Sequence, residues 1–277
     1  MKELKTTVKR RLKTTPSIGI LLLSIILFQN ITIAQNTNSG KTLLAVFAHP
    51  DDEGTIAPLM VKYVEQGVKV HLVVCTDGRY GTNENTDYEA GDDLAAMRRE
   101  EMQCSADNLG VELTHLRYHD QLKSGEGYDG HIPHVRSLIK DIYDIVEKIQ
   151  PDAIITFGPE GWSNHMDHRL VGATVTQVFL SKVWNKKINL YYVGMPSDVL
   201  DDSEQKIIRG QDRSYLTTKV TYTDEHREQS FQAIFCHKSQ FGEMGLDKIR
   251  KWSSKREKAV YLRKFVAPTE TEDSVFN

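Results

Sequence analysis

Short apolar runs alternate with helical patterns along most of the chain. The runs have the length of strands, and in the stretches between them apolar residues recur every three or four positions. The predicted strands cover residues 42–48, 68–76, 111–118, 152–158 and 188–194. The predicted helices cover residues 56–66, 93–110, 135–149 and 171–179. This alternation predicts an α/β fold with a Rossmann-like, mostly parallel β-sheet and helices on both faces.

The pattern becomes less regular after residue 195. A strand is predicted at 215–223 and a helix at 224–240, which together indicate an α+β C-terminal part. We find no internal repeat, low-complexity tract or linker that would mark a domain boundary. Residues 35–277 are therefore predicted to form a single domain.

The first 34 residues have a different composition. A basic stretch is followed by an apolar run of about eleven residues at 18–28 and then by a small residue, Ala34. This order is typical of a cleavable signal peptide, and the run is shorter than the roughly 20 residues of a membrane span. We expect residues 1–34 to be a signal peptide and the protein to be exported, either periplasmic or extracellular. An uncleaved membrane anchor is the alternative.

Charge and cysteine content narrow the class of protein further. A net charge of −3 argues against a nucleic-acid partner, which would favour a basic surface. The spacing of Cys75, Cys104 and Cys236 matches no zinc or redox motif. We interpret all three as small, buried apolar side chains.

Two clusters of polar residues follow predicted strands. One comes directly after the strand at 42–48 and the other after the strand at 152–158. Their members are His49, Asp51, Asp52, His165, Asp167 and His168. Ligands bind beyond the carboxyl ends of the strands in open parallel sheets. The two clusters would therefore face each other if these two strands are neighbours.

The residue types in these clusters favour a metal site. Two histidines and a carboxylate with one open position suit a catalytic zinc ion. Several carboxylates in a dry pocket are costly unless a cation compensates their charge. The alternative is structural, with Asp51 capping a helix and His49 packed in the core. A dinucleotide site is not expected, because no G-x-G-x-x-G follows the first strand.

The order of these motifs resembles the family of zinc-dependent N-acetylglucosaminyl deacetylases, also called PIG-L or LmbE-like. AHPDDE at 48–53 resembles its leading signature, and HMDH at 165–168 resembles the second, with Met166 in place of the usual proline. Weaker similarities lie at CTDGRYG (75–81), RREE (98–101), HD (119–120) and HKSQ (237–240). The resemblance covers roughly residues 42–245 and implies that 35–277 is one deacetylase-like catalytic domain.

The resemblance implies a role for each candidate residue. His49, Asp52 and His168 would be the zinc ligands, and Asp51 would be the general base for the water on the metal. His165 would stabilise the oxyanion and protonate the leaving amine.

Three further residues complete the implied site. Asp167 would tune the charge of His165, and Arg98 and Asp120 would contact sugar hydroxyls of the substrate. We interpret Glu53 as a charge at a helix start. His237 is interpreted either as a residue supporting the site or as a solvated helix histidine.

The implied function is zinc-dependent removal of an N-acetyl group from an N-acetylglucosamine-type sugar or conjugate. The expected partner is a small N-acyl amino sugar, and the oligomeric state is left open. One alternative is an iron(II)-dependent oxygenase, because two histidines and one carboxylate also suit Fe²⁺. Another is a non-catalytic sugar-binding protein. The acid–base residues beside the expected ligands favour hydrolysis.

Overall fold

A computed structural model describes residues 38–84, 86–266, 270–271 and 273–275 of the chain. The predicted signal peptide at 1–34 lies outside these residues. Within the described part, every helix is too short or too polar to cross a lipid bilayer.

The strands of the described residues form one seven-stranded sheet with the order β3-β2-β1-β4-β5-β7-β6. Strands β1 to β5 are parallel, whereas β7 is antiparallel to both β5 and β6. The strands are β1 (Thr42–Phe47), β2 (Lys69–Thr76), β3 (Glu112–Tyr118), β4 (Ala153–Phe157), β5 (Asn189–Gly194), β6 (Thr218–Thr221) and β7 (Ala259–Lys264).

The longer helices connect and cover these strands. They are α1 (Ala57–Glu65), α2 (Asp92–Leu109), α3 (Gly127–Ile149), α4 (Met166–Leu180), α5 (Asp224–Ile234) and α6 (Lys238–Ser254). A one-turn helix spans Gly161–Asn164, and 3₁₀ turns span Asp52–Thr55, Asp120–Glu126, Ser197–Val199, Glu204–Lys206 and Arg213–Tyr215.

Both faces of the sheet are buried, as β1 illustrates. Leu43, Ala45 and Phe47 point into one apolar cluster, which also contains residues of α1, α2 and α5. Leu44 and Val46 point into a second cluster, which contains residues of α3 and α4. Alternate residues of a strand face opposite sides of the sheet, so helices pack on both sides of β1. The predicted α/β fold is confirmed.

The structure differs from the sequence prediction mainly in three places. Helix α3 begins at Gly127, eight residues before the predicted start at 135. Strand β7 was not predicted, because only Val260 and Leu262 of its six residues are buried and basic residues follow them. The helix predicted at 224–240 is two helices, α5 and α6, which are separated at residues 235–237.

Strands β1 and β4 are direct neighbours in the sheet. They pair in parallel, with Leu43 opposite Ala153 and Ala45 opposite Ile155. The strand order proceeds from β1 through β2 to β3 on one side and through β4 to β5 on the other. The carboxyl ends of β1 and β4 therefore flank the topological switch point, where ligands bind in open α/β sheets.

Helix α4 packs closely on the end of β4 because it carries Gly172 at the contact. A Cβ atom at this position would lie 2.2 Å from the carbonyl oxygen of Phe157. We expect Gly172→Ala to lower the free energy of unfolding by about 1–3 kcal/mol, because the backbone must move to relieve the overlap.

Urea denaturation of the two proteins measures this difference in stability. Gly125→Ala is the matched control, because a Cβ atom there meets nothing within 4 Å. Equal unfolding midpoints for the Gly172→Ala and Gly125→Ala variants would contradict the predicted overlap.

Candidate metal and catalytic site

Asp52 is fixed by the turn that follows β1. Its Oδ2 accepts hydrogen bonds from the backbone N–H groups of Ala48 and His49, at 3.1 and 2.8 Å. This arrangement leaves Oδ1 directed across the switch point, where it lies 3.0 Å from Nε2 of His168. The turn therefore presents one carboxylate oxygen to the neighbouring loop.

His168 comes from the first turn of α4, and its ring is held from two sides. The ring stacks on Phe157 with centroids 4.2 Å apart. Its Nδ1 lies 3.0 Å from the carbonyl oxygen of Gly161. A carbonyl can only accept, so Nδ1 carries the hydrogen and Nε2 presents a lone pair towards Asp52.

His49 is held in the same way by two carboxylates. Its Nε2 lies 3.1 Å from Oδ2 of Asp167 and 3.2 Å from Oδ1 of Asp120. In the neutral ring, which is the form that binds a metal, Nε2 therefore carries the hydrogen and Nδ1 presents its lone pair. This Nδ1 lies 3.2 Å from Nε2 of His168 and 3.5 Å from Oδ2 of Asp52.

Three electron-pair donors thus converge on one place. Nδ1 of His49 lies 3.2 Å from Nε2 of His168, and the Asp52 carboxylate lies beside both, with Oδ1 3.0 Å from Nε2 of His168 and Oδ2 3.5 Å from Nδ1 of His49. Metal bonds of about 2.0–2.1 Å in a tetrahedron place neighbouring ligand atoms about 3.3 Å apart. The two imidazole lone pairs face each other and the Asp52 carboxylate. These three groups repel one another unless a cation lies between them. The residues therefore fit a divalent metal ion.

The electrostatics of the site agree with this arrangement. Burial alone would raise the pKa of Asp52, but the neighbouring His168 and His49 hold it well below its ordinary value. Burial alone would lower the pKa of His49, but hydrogen bonds with Asp120, Asp167 and Asp52 raise it well above its ordinary value. The site is thus built to stabilise positive charge among ionised carboxylates.

Two other triads bring possible ligand atoms within 4.8 Å of one another: His49, His165 and His168, and His49, Asp120 and Asp167. The first triad includes His165, which is exposed, whereas His49 and His168 are buried. In the second, the carboxylate oxygens face the N–H of His49. The set of His49, Asp52 and His168 is preferred because its residues are all buried and its histidine lone pairs face one another.

Asp51 lies beside this set, and its backbone is in the left-handed region with φ 107°. Its Oδ1 is 3.4 Å from Nη2 of Arg98. Burial raises the pKa of Asp51 to about 6, and the charge of Arg98 opposes this rise. A carboxylate with this pKa can accept a proton near neutral pH.

His165 is the N-cap of α4 and lies at the open side of the cluster. Its ring centroid is 4.6 Å from that of His49 and 4.9 Å from that of His168. Its Nδ1 accepts a hydrogen bond from the backbone N–H of Asp167 at 3.2 Å, so Nε2 carries the hydrogen. Burial, together with His49 and His168, lowers the pKa of His165.

The residues expected to contact sugar hydroxyls have other partners in this structure. Arg98 is 2% exposed and donates to the carbonyl oxygens of Pro50 and Gly78. Asp120 is 4% exposed and contacts His49. Both side chains therefore support Asp51 and His49 directly, and their contact with a sugar stays a prediction.

Asp167 interacts with His49 as well as with His165. Burial lowers the pKa of His165, and the charge of Asp167 opposes this shift, while the backbone N–H of Asp167 donates to Nδ1 of His165. The carboxylate of Asp167 is fully buried, lies 3.1 Å from Nε2 of His49 and accepts from the backbone N–H of Gln121 at 2.9 Å. The side chain of Asp167 therefore orients His49.

Four residues behind the site, Cys104, Cys236, Glu53 and His237, were misinterpreted or left open in the sequence analysis. Cys104 and Cys236 form a disulfide, so their interpretation as free buried side chains was wrong; Cys75 is buried as expected. Their separation of 132 residues gave no local signal. Glu53 is fully buried, so it is more than a charge at a helix start. It contacts His237, which is 1% exposed and so is no solvated histidine.

Comparison with known proteins identifies the domain that carries these residues. Residues 44–179 match the family model described as PIG-L, GlcNAc-PI de-N-acetylase. The chain contains a PIG-L family domain. The resemblance seen in the two histidine- and aspartate-rich motifs is confirmed, because both motifs lie inside the matched residues.

The PIG-L domain has both sequence relatives and structural relatives. The 1D-myo-inositol 2-acetamido-2-deoxy-alpha-D-glucopyranoside deacetylase of Corynebacterium diphtheriae is 32% identical over 143 residues, which are 47% of this chain and 49% of that protein. The chain spans about half the length of the curated relatives with which it shares this similarity.

Two solved structures share the fold. The N,N'-diacetylchitobiose deacetylase from Pyrococcus horikoshii has a TM-score of 0.59 and 21% identity, with 92% of this chain and 95% of that chain covered. The 4-carboxy-2-hydroxymuconate hydratase from Pseudomonas putida has a TM-score of 0.57 and 16% identity, with 85% and 100% covered. These likenesses show the fold alone.

Proposed function

We propose that this protein is a zinc-dependent N-deacetylase acting on an N-acetylglucosamine-type sugar or conjugate. The observation that carries the proposal is the convergence of three lone pairs from His49, Asp52 and His168, with Asp51 and His165 beside them. The PIG-L domain and the similarity to a deacetylase of an N-acetylated sugar conjugate support the substrate class.

Zinc is proposed because two imidazole nitrogens and a carboxylate oxygen are a ligand set that suits this ion in catalytic sites. When bound, the ion supplies a Lewis acid that polarises the amide carbonyl and lowers the pKa of water. Asp120 and Asp167 orient His49 through its Nε2 hydrogen, and such supporting contacts typically change metal affinity by about 10–100-fold.

The remaining chemistry is proton transfer by side chains of this chain. Asp51 accepts a proton from the attacking water, and burial keeps its pKa near the working pH. In its protonated form, His165 presents its Nε2 hydrogen to the developing oxyanion, donates that proton to the departing nitrogen and returns to the neutral ring. The proton that Asp51 took from water leaves to solvent, and solvent protonates His165 for the next turnover. The lowered pKa of His165 makes its protonated form a stronger acid, which favours this donation.

The fold by itself does not select this reaction, because a hydratase shares it. An iron(II) oxygenase would use the same two histidines and one carboxylate, but it has no need for a base and an acid beside them. A sugar-binding protein would likewise not need them. The placement of Asp51 and His165 therefore favours hydrolysis.

The test is a screen of the zinc-loaded protein for released free amine and acetate. Substrates should include N-acetylglucosamine, its oligomers and thiol-linked conjugates, with oxygen consumption followed in parallel. We expect equal amounts of amine and acetate from at least one substrate and no oxygen uptake. Oxygen uptake by the iron-loaded protein, or sugar binding without product, would contradict the proposal.

Arg98→Gln provides a test of how Arg98 acts. The charge of Arg98 lowers the pKa of Asp51, so its loss raises that pKa. The base works only when deprotonated, and the acidic limb of the pH profile of kcat should therefore move to higher pH. Arg98→Lys retains the charge and should shift the limb less. An unchanged limb with a raised KM would instead indicate the sugar contact.

We also propose that the protein works outside the cytoplasm. The disulfide between Cys104 and Cys236 supports this proposal, because disulfides persist mainly in oxidising compartments. The basic and apolar composition of residues 1–34 supports it independently. Sequencing the N-terminus of the protein recovered from a secretion-competent host tests cleavage near Ala34, and recovery of the intact chain in the cytoplasm would contradict it.

A further inference from the structure

Glu53 lies behind the metal site as a fully buried carboxylate. Its Oε2 accepts a hydrogen bond from the backbone N–H of Asp51 at 2.9 Å. Its Oε1 accepts from the hydroxyl of Ser105 at 2.6 Å and from Nε2 of His237 at 2.5 Å. Both oxygens are therefore engaged, and the donors come from three separate parts of the chain.

The contact with Asp51 matters because the backbone of Asp51 is left-handed. A φ of 107° with ψ of −23° is rarely adopted by residues other than glycine and must be held by its surroundings. The bond from the Asp51 N–H to Glu53 fixes this peptide. The orientation of the Asp51 side chain beside Arg98 depends on the same backbone.

The disulfide links the two chain segments that carry Ser105 and His237. Cys104 directly precedes Ser105 on α2, and Cys236 directly precedes His237 at the junction of α5 and α6. The Cα atoms of the two cysteines are 5.9 Å apart. The covalent link therefore holds together the two residues that donate to Oε1 of Glu53.

We propose that Glu53 is the positioning residue for Asp51 and that the Cys104–Cys236 disulfide locks Ser105 and His237 onto it. This inference rests on the proposed role of Asp51 as the general base. Without the disulfide, α2 and the α5–α6 junction can separate, and Glu53 loses its fixed donors. The carboxylate of Asp52 keeps its own bonds to the β1 turn, so metal binding is retained.

Hydrogen–deuterium exchange tests the coupling without any substrate. The zinc-loaded full chain is compared with its Cys104→Ser/Cys236→Ser variant. We expect amides in residues 49–56 to exchange about tenfold faster in the variant, because loss of the covalent link lowers the free energy of local opening of this turn. Residues 189–194 in β5 serve as the internal control and should be unchanged. Equal exchange at 49–56 in both proteins would overturn the inference.

A kinetic cycle separates positioning from general stabilisation. Loss of the disulfide should lower kcat about tenfold, with KM and zinc stoichiometry unchanged. In the Glu53→Gln background, loss of the disulfide should leave kcat unchanged, although the melting temperature falls in both backgrounds. The double variant Ser105→Ala/His237→Gln, which alters both donors to Oε1, replaces Glu53→Gln if the latter does not fold. If the disulfide only stabilises the fold, its loss from the otherwise wild-type protein would lower the melting temperature and leave kcat unchanged, and this result would refute the inference.

The two tests distinguish this inference from the proposed function. If the wild-type protein releases no amine from any substrate, the proposed function fails. The exchange experiment still decides whether the disulfide controls the turn that carries Asp51.

Discussion

Replacing Asp51 with asparagine is expected to lower kcat for N-deacetylation by about 10²–10⁴-fold while zinc remains bound. Asparagine has almost the same shape as aspartate and can still contact Arg98, but it cannot accept a proton from water. The ligand atoms of His49, Asp52 and His168 are untouched by this change. The result should therefore appear in kcat and not in metal content.

Single-turnover kinetics and zinc analysis of the same preparation measure the two quantities. Asp144→Asn is the matched control, because Asp144 is an exposed carboxylate on α3 that pairs with Lys140. We expect this control to retain wild-type kcat. Full turnover by Asp51→Asn with one zinc per chain would refute the role of Asp51 as the base. Loss of zinc from that variant would make Asp51 a ligand instead.

Replacing His168 with alanine is expected to weaken zinc binding by more than about 100-fold, because a ligand lost from the ion costs more than the 10–100-fold effect of a supporting residue. The buried carboxylate of Asp52 then loses its histidine neighbour at 3.0 Å as well. Competition with a chromophoric chelator measures the dissociation constant directly.

Two further variants make the measurement specific. His165→Ala should retain zinc but lose about 10²–10⁴-fold in kcat, because His165 is proposed to handle protons. Asp167→Asn should weaken zinc binding by about 10–100-fold through the orientation of His49. If His165→Ala released the metal as readily as His168→Ala, the three-histidine set would be the correct site.

The sequence predicted that the two polar clusters would meet. Each cluster directly follows an apolar run, and the carboxyl ends of neighbouring parallel strands lie at the same edge of a sheet. Apolar runs located β1 and β4, and polar residues directly followed both strands. The pairing of Leu43 with Ala153 confirms that these strands are neighbours. The side chains at the two strand ends meet for this reason alone.

Residues that support the site from distant segments could not be predicted in the same way. Cys104 and Cys236 are 132 residues apart in sequence, and their proximity depends on how α2 packs against α5 and α6. The burial of Glu53 and His237 has the same origin. Strand β7 was missed because half-buried strands have a weak apolar pattern, and its place between β5 and β6 is a property of the whole sheet.

Anomalous diffraction at the zinc edge, from crystals grown with zinc, tests the central claim most directly. We predict one peak about 2.0–2.2 Å from Nδ1 of His49, a carboxylate oxygen of Asp52 and Nε2 of His168. A peak bound instead by Asp120 and Asp167, or no peak at the switch point in zinc-saturated crystals, would contradict the proposed metal site and the hydrolysis that depends on it.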